Sequence, residues 1–145
     1  MFNQTVSFRT SPEVTVSLLS DLEALTRHHP LVLSVERLPA PEGVDKAYKV
    51  VDRVRLLGKE RRVTYTAFLT QVGDLLLWTA RAPCGVTVQT SYLVEEVLGG
   101  SLVTEVCEVS GPPGLAWLSE REARRAHQEA LRGLARIHET QNPPR

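Results

Sequence analysis

The residue with the clearest chemical potential is His127, which sits among Ala123, Ala126 and Ala130 near the middle of a C-terminal stretch of helical period. Alanines fill little volume, so a helix packed through them against a curved sheet leaves space. An imidazole projecting into that space can hydrogen-bond a ligand carbonyl, carboxylate or hydroxyl, and histidine as a residue type also suits acid–base work. The competing reading is a core histidine bonded to a backbone carbonyl or a neighbouring side chain. Asp52 and Thr90 are polar residues on otherwise apolar strand faces. A buried carboxylate is costly unless paired, so Asp52 is expected to answer His127, Arg53 or an arginine at the sheet edge. An Asp52–His127 pair would be the nearest thing to a catalytic dyad. The alternative is a bulge near Val50-Val51-Asp52 that turns Asp52 to solvent.

Tyr48, Tyr65, Trp78 and Tyr92 are the aromatics of the strand region. Each offers a large apolar body with one polar handle, which suits either a pocket wall or plain core packing. With His127, Asp52, Thr90 and Leu131 of the helix stripe, they make up the expected ligand-binding set. His28 and His29 read either as lining a cavity mouth or as exposed loop and helix-end residues. No HExxH occurs, and no other spacing gathers three ligands locally, so no metal is expected. There is no GxSxG and no glycine-rich phosphate loop, so neither a serine triad nor a bound nucleotide is argued, and no cofactor is expected. The run Lys59-Glu60-Arg61-Arg62 reads as a solvated hairpin tip.

These residues need elements to position them. Residues 2 to 9 alternate, with Val6 and Phe8 on one face, as in a half-buried strand. Ser11 and Pro12 then give a helix start. Val14, Leu18 and Leu19 supply a short apolar face. Asp21 caps a second short helix through Leu22 and Leu25 that ends near His28-His29-Pro30, since proline disfavours helix just before it. Strand-like segments follow at Leu31 to Leu38, Ala47 to Leu57, Arg61 to Val72, Leu75 to Arg81, Val86 to Val94 and Leu102 to Val109. Tight turns at Gly58-Lys59, Gly73-Asp74 and Gly99-Gly100 join several of them, which requires antiparallel pairing. Leu75 to Arg81 is apolar on both faces, which predicts a central or covered strand. Gly111 to Gly114 breaks the sheet. Ser119 and Glu122 form a capping box, which predicts a long helix from there to about His138. Its apolar stripe is Ala123, His127, Ala130, Leu131, Leu134 and Ile137 or His138.

At 145 residues the chain suits one domain, and 42% hydrophobic against 23% charged residues allows a real core. Seventeen basic and seventeen acidic residues cancel, which removes the overall electrostatic footprint of a nucleic-acid binder. Cys84 and Cys107 form no CxxC and read as free thiols of a reducing compartment. The N-terminus lacks a signal-peptide pattern, and no apolar run approaches the ~20 residues of a membrane span. A cytoplasmic protein is therefore expected, without nucleic acid and without membrane insertion, as a monomer or homodimer.

The order strand, two short helices, about six strands and one long helix resembles the START-like, birch-pollen-allergen and polyketide-cyclase superfamily (SRPBCC). Ser11-Pro12-Glu13-Val14 with Leu18, Leu19 and Asp21-Leu22 is similar to that family's lead into its helix pair, and His28-His29-Pro30 to its end. Gly99 to Thr104 is similar to the hairpin before its last strand, and Gly111 to Leu115 to the approach to its final helix. The resemblance implies an α+β helix-grip fold: a curved antiparallel sheet of six or seven strands wrapped around a long C-terminal helix. It would form one ligand-binding domain over residues 1–140, with 141–145 as a flexible tail. It also implies a cavity for a hydrophobic or amphipathic small molecule of lipid, polyketide or isoprenoid type. The alternatives are a cofactor-free cyclase or dehydratase and a protein-interaction module on the same fold.

Overall fold

Alternating side chains and glycine turns generate one sheet. The computed structural model describes residues 1–27, 29–56, 58–82 and 84–141; His28, Leu57, Pro83 and the segment 142–145, part of the expected tail, lie outside it. The strands are β1 (Phe2–Phe8), β2 (Val32–Leu38), β3 (Lys46–Leu56), β4 (Lys59–Val72), β5 (Leu75–Arg81), β6 (Thr87–Val97) and β7 (Gly100–Ser110). They are ordered β1-β7-β6-β5-β4-β3-β2, and every neighbouring pair is antiparallel. Helices α1 (Pro12–Leu19) and α2 (Leu22–Thr26) follow β1, and α3 (Leu115–Gln141) closes the chain. This is the helix-grip arrangement: a curved antiparallel sheet, a pair of short helices and one long C-terminal helix.

The helix starts behave as their side chains dictate. The Ser11 hydroxyl accepts from the Val14 N–H, and the Asp21 carboxylate accepts from the Glu23 N–H. The buried face of α1 is the expected one at Leu18 and Leu19 but not at Val14. Val14 is 46% exposed, whereas Thr15 and Leu19 are buried. Thr15 turns inward because its hydroxyl meets those of Thr10 and Ser101, both at 2.6 Å. The last helix also begins earlier than its capping box suggests. It starts at Leu115, where the Ala116 N–H bonds the Pro112 carbonyl at 2.9 Å. Ser119 and Glu122 therefore lie inside α3. Nothing after Gly114, with φ of 80°, interrupts the apolar run into the helix.

Strand β5 is central in the sheet, but only one of its faces is covered. Leu76 and Trp78 are buried, while Leu75 and Leu77 remain 43% and 41% exposed on the outer face. The core lies between the inner face and the helices. Leu19, Leu22 and Leu25 from α1 and α2 meet Val50, Leu69, Leu76 and Val94 from the sheet and Leu131 and Leu134 from α3. Complete burial of each such side chain is worth about 1.5–3 kcal/mol. Trp78 fixes the helix pair to the sheet, its indole N–H donating to the Leu19 carbonyl at 3.1 Å. Gly100 allows β1 to approach β7: a Cβ there would lie 2.0 Å from the Phe8 carbonyl oxygen.

Candidate functional site

Between α2, α3 and the inner face of the sheet lies a cavity of about 210 Å³. Alanines line it on two sides: Ala123 and Ala130 from α3, and Ala67, Ala80 and Ala82 on or beside the strands. The space exists because methyl groups stand where larger side chains would close the gap. An apolar cavity of about 150 Å³ already accepts benzene, so this one takes a one- or two-ring body. The lining residues Arg55, Cys84 and Glu122 are exposed and mark its mouth.

His127 reaches the cavity from α3, as the helical stripe places it, but its carboxylate partner is Glu105 rather than Asp52. The imidazole Nδ1 lies 3.4 Å from Glu105 Oε1, a close approach without hydrogen-bond geometry. Glu105 is fully buried on β7. Gln4 Nε2 donates to Glu105 Oε1 at 3.1 Å and to the His127 carbonyl oxygen at 3.2 Å. Tyr92 stands directly across from Glu105 in the β6–β7 register. Burial alone would raise the Glu105 carboxyl; His127, Tyr92 and Gln4 outweigh it and hold the group below its usual value. Glu105 Oε2, Gln4 Oε1 and His127 Nδ1 are buried with no hydrogen-bond partner among the described residues.

His29 packs edge-on against His127, ring centres 5.6 Å apart. Its Nδ1 accepts from the Leu31 N–H at 3.3 Å, which requires the proton of a neutral ring to sit on Nε2. Burial, then the adjacent His127, lowers its pKa to about 3, so His29 is a neutral imidazole. His28 of the same motif lies outside the described residues.

Asp52 faces the cavity from β3 and accepts a hydrogen bond from the Tyr65 hydroxyl of β4 at 3.3 Å. The register irregularity nearest to it lies on β2, between Val32 and Ser34, and does not turn Asp52 outward. Burial pushes its carboxyl up to about 7 against the opposing pull of Tyr65 and His127. The Tyr65 and Tyr92 phenols are both raised well above their usual value, first by burial and then by their carboxylate neighbours. They remain hydroxyl donors at physiological pH.

Of the residues expected to form the site, His127, Asp52, Tyr65, Trp78, Thr90 and Tyr92 line the cavity. Thr90 also donates to Cys107 Sγ at 3.5 Å. Tyr48 and Leu131 are not part of the lining; they pack into the core, Tyr48 against Trp78 with ring centres 5.8 Å apart. Glu105 and Gln4 escaped notice. Segment 102–109 carries apolar residues and one glutamate on each parity, so the strand alone does not say which glutamate is inside. The Gly99-Gly100 hairpin does, because it projects the inward Tyr92 onto Glu105. Among the described residues no group of three or more His, Cys, Asp or Glu side chains is placed to hold a metal, and no helix is long and apolar enough to cross a membrane.

A model of the family described as "Domain of unknown function (DUF7053)" matches residues 7–131. No curated protein matches. Solved structures share the fold at low identity. The di-domain aromatase/cyclase StfQ of the steffimycin biosynthetic pathway is 17% identical with a TM-score of 0.70; 96% of this chain aligns to 46% of that longer one, so this chain spans about half of its length. A START superfamily protein from Mycobacterium smegmatis is 17% identical, TM-score 0.65, over 94% of this chain and 97% of that one. The Zhui aromatase/cyclase from Streptomyces sp. R1128 is 15% identical, TM-score 0.66, over 95% and 92%. The likeness is one of fold, and the fold is that of the START-like, polyketide-cyclase superfamily.

Proposed function

Because the chain belongs to the DUF7053 family and folds as a helix-grip domain, we propose that it binds a small amphipathic molecule with a compact apolar body of lipid, polyketide or isoprenoid type. The observation that carries this reading is the cavity of about 210 Å³, whose alanine and valine walls end in a few convergent polar groups. Such a combination is the ordinary form of a small-molecule site. Tyr65, Asp52 and His127 offer hydrogen bonds to neutral polar atoms on the ligand's body, and Trp78, Val86 and Val88 flank that body. The setting is the cytoplasm, where Cys84 and Cys107 stay reduced.

One observation favours a second reading, a cofactor-free acid–base enzyme. Titratable groups converge on the cavity from two sides: Asp52, with its pKa raised to about 7, from β3, and His127, with Glu105 behind it, from α3. A carboxyl poised near neutrality suits proton transfer. The test of binding is native mass spectrometry of protein purified from cells, beside a denatured sample and an Ala123→Phe variant that fills the cavity. A reproducible added mass, lost on denaturation and in the variant, is expected. An equal adduct in the filled variant would overturn the assignment to this cavity.

A further inference from the structure

The β3–β4 hairpin that rims the mouth is basic. It carries Arg53, Arg55, Lys59, Arg61 and Arg62, all exposed, against Glu60. Glu60 is engaged by Arg53 at 3.2 Å. Arg55, Lys59, Arg61 and Arg62 take part in no ion pair among the described residues. Arg53 and Arg62 are direct cross-strand partners, and like charges placed so destabilise a sheet. A hairpin tip has no packing need for that arrangement.

The position of these charges relative to the cavity gives them a use. Arg55 is itself part of the lining. Arg61 pairs with Val54, and Val63 pairs with Asp52; Val54, Val63 and Asp52 all line the cavity. Arg61 therefore continues the inner face of β4 one step outward from Val63. The opposite end of the sheet is acidic, with Glu42, Asp45, Asp74, Glu95 and Glu96 exposed on its turns and strand ends. A chain of zero formal net charge is thus polarised along the sheet, positive on the β3–β4 side of the mouth, while α3 brings the exposed carboxylate of Glu122 to the same mouth. Charge of one sign at a cleft with low-dielectric walls focuses the field and draws in ions of the opposite sign. Within the cavity wall the Asp52 carboxyl, once ionised, disfavours a second anion beside it. An anionic group is accommodated only at the outer end.

We propose that the ligand of this cavity is an anionic amphipath whose apolar body lies inside and whose carboxylate or comparable anionic group is held at the mouth by Arg55 and Arg61. This rests on the binding reading above and narrows its ligand class.

The experiment titrates the full chain with 2-naphthylacetate and with its neutral isostere 2-naphthylacetamide, followed by tryptophan fluorescence at low and at 0.5 M salt. The acid is expected to bind about tenfold more tightly than the amide at low salt. That preference shrinks toward parity in 0.5 M salt, where charges separated by more than a few ångströms are screened. It also vanishes in the Arg55→Gln/Arg61→Gln variant and persists in Arg132→Gln, a charge removed from the exposed side of α3. Equal affinity for acid and amide, or a preference that survives in Arg55→Gln/Arg61→Gln, overturns the anionic assignment and leaves the cavity reading standing. Binding of neither probe overturns both.

Discussion

Replacing Asp52 by asparagine should stabilise the protein, and increasingly so as pH rises. The carboxyl sits on the cavity wall, with its pKa lifted from 3.8 to about 7, chiefly by burial. Folding therefore favours the protonated form. Below pH 3.8 the group is neutral in both states, so the substitution has little effect there. As pH climbs from 3.8 toward 7 the unfolded chain ionises while the folded one resists, and the penalty accumulates; above 7 it levels off. At about 1.4 kcal/mol per tenfold step in the proton equilibrium, the full rise bounds the penalty at about 4 kcal/mol. The cavity opens to solvent, which screens part of that, so a gain of about 1–3 kcal/mol is expected at pH 8. Asparagine keeps a carbonyl oxygen for the Tyr65 hydroxyl, so the hydrogen bond at 3.3 Å is not sacrificed. Urea unfolding at pH 4, 6 and 8, followed by tryptophan fluorescence, reads the difference as a midpoint shift of about 1 M at the highest pH and almost none at the lowest. A variant less stable than the parent at pH 8, or a gain that does not change with pH, would refute the reasoning.

Glu105→Gln has the opposite sign. It weakens the contacts with His127 and Gln4 and should cost about 1–3 kcal/mol at pH 7. Because the Glu105 carboxyl is held below its usual value, this loss is full above the ordinary carboxylate range and fades as pH falls through the lowered value; a pH-independent loss would contradict it. Gly100→Ala sets a Cβ 2.0 Å from the Phe8 carbonyl oxygen, and should lower the melting temperature by roughly 3–10 °C, for about 1–3 kcal/mol. The two thiols should separate kinetically. Exposed Cys84 reacts with a disulfide reagent in the folded protein, whereas Cys107, fully buried and pushed up to about 12 by burial, reacts only on unfolding; two equally fast thiols would be inconsistent with this packing.

The element order was legible because turns and alternation report it directly; the boundaries were less so, since α3 starts at Leu115, a turn before the capping box that announced it. What resisted reading was direction within an element. Thr15 displaced Val14 from the buried face of α1 through hydroxyl contacts with Thr10 and Ser101, which hydrophobicity does not encode. Strand β5, apolar on both faces and expected to be central or covered, is central, yet its outer face is open and Leu75 and Leu77 lie on it. The cavity polar set was half visible. Asp52 and His127 stood out as polar residues in apolar company, but their pairing depends on sheet curvature. Curvature brings β7, rather than β3, to His127.

The first strand of the chain is an edge strand joined to the last. Phe2 pairs with Cys107 and Phe8 with Ser101, so β1 finds its partner only after some hundred residues of intervening chain. Strands β2 to β7, by contrast, form a meander in which each hairpin can close on its neighbour as it is synthesised. On the ribosome β1, α1 and α2 must therefore wait while the meander grows. The inner face that will become the cavity stays open until α3 is also released. Long-range closure of this kind slows folding, and it makes the assembly of the ligand site coincide with the completion of the fold.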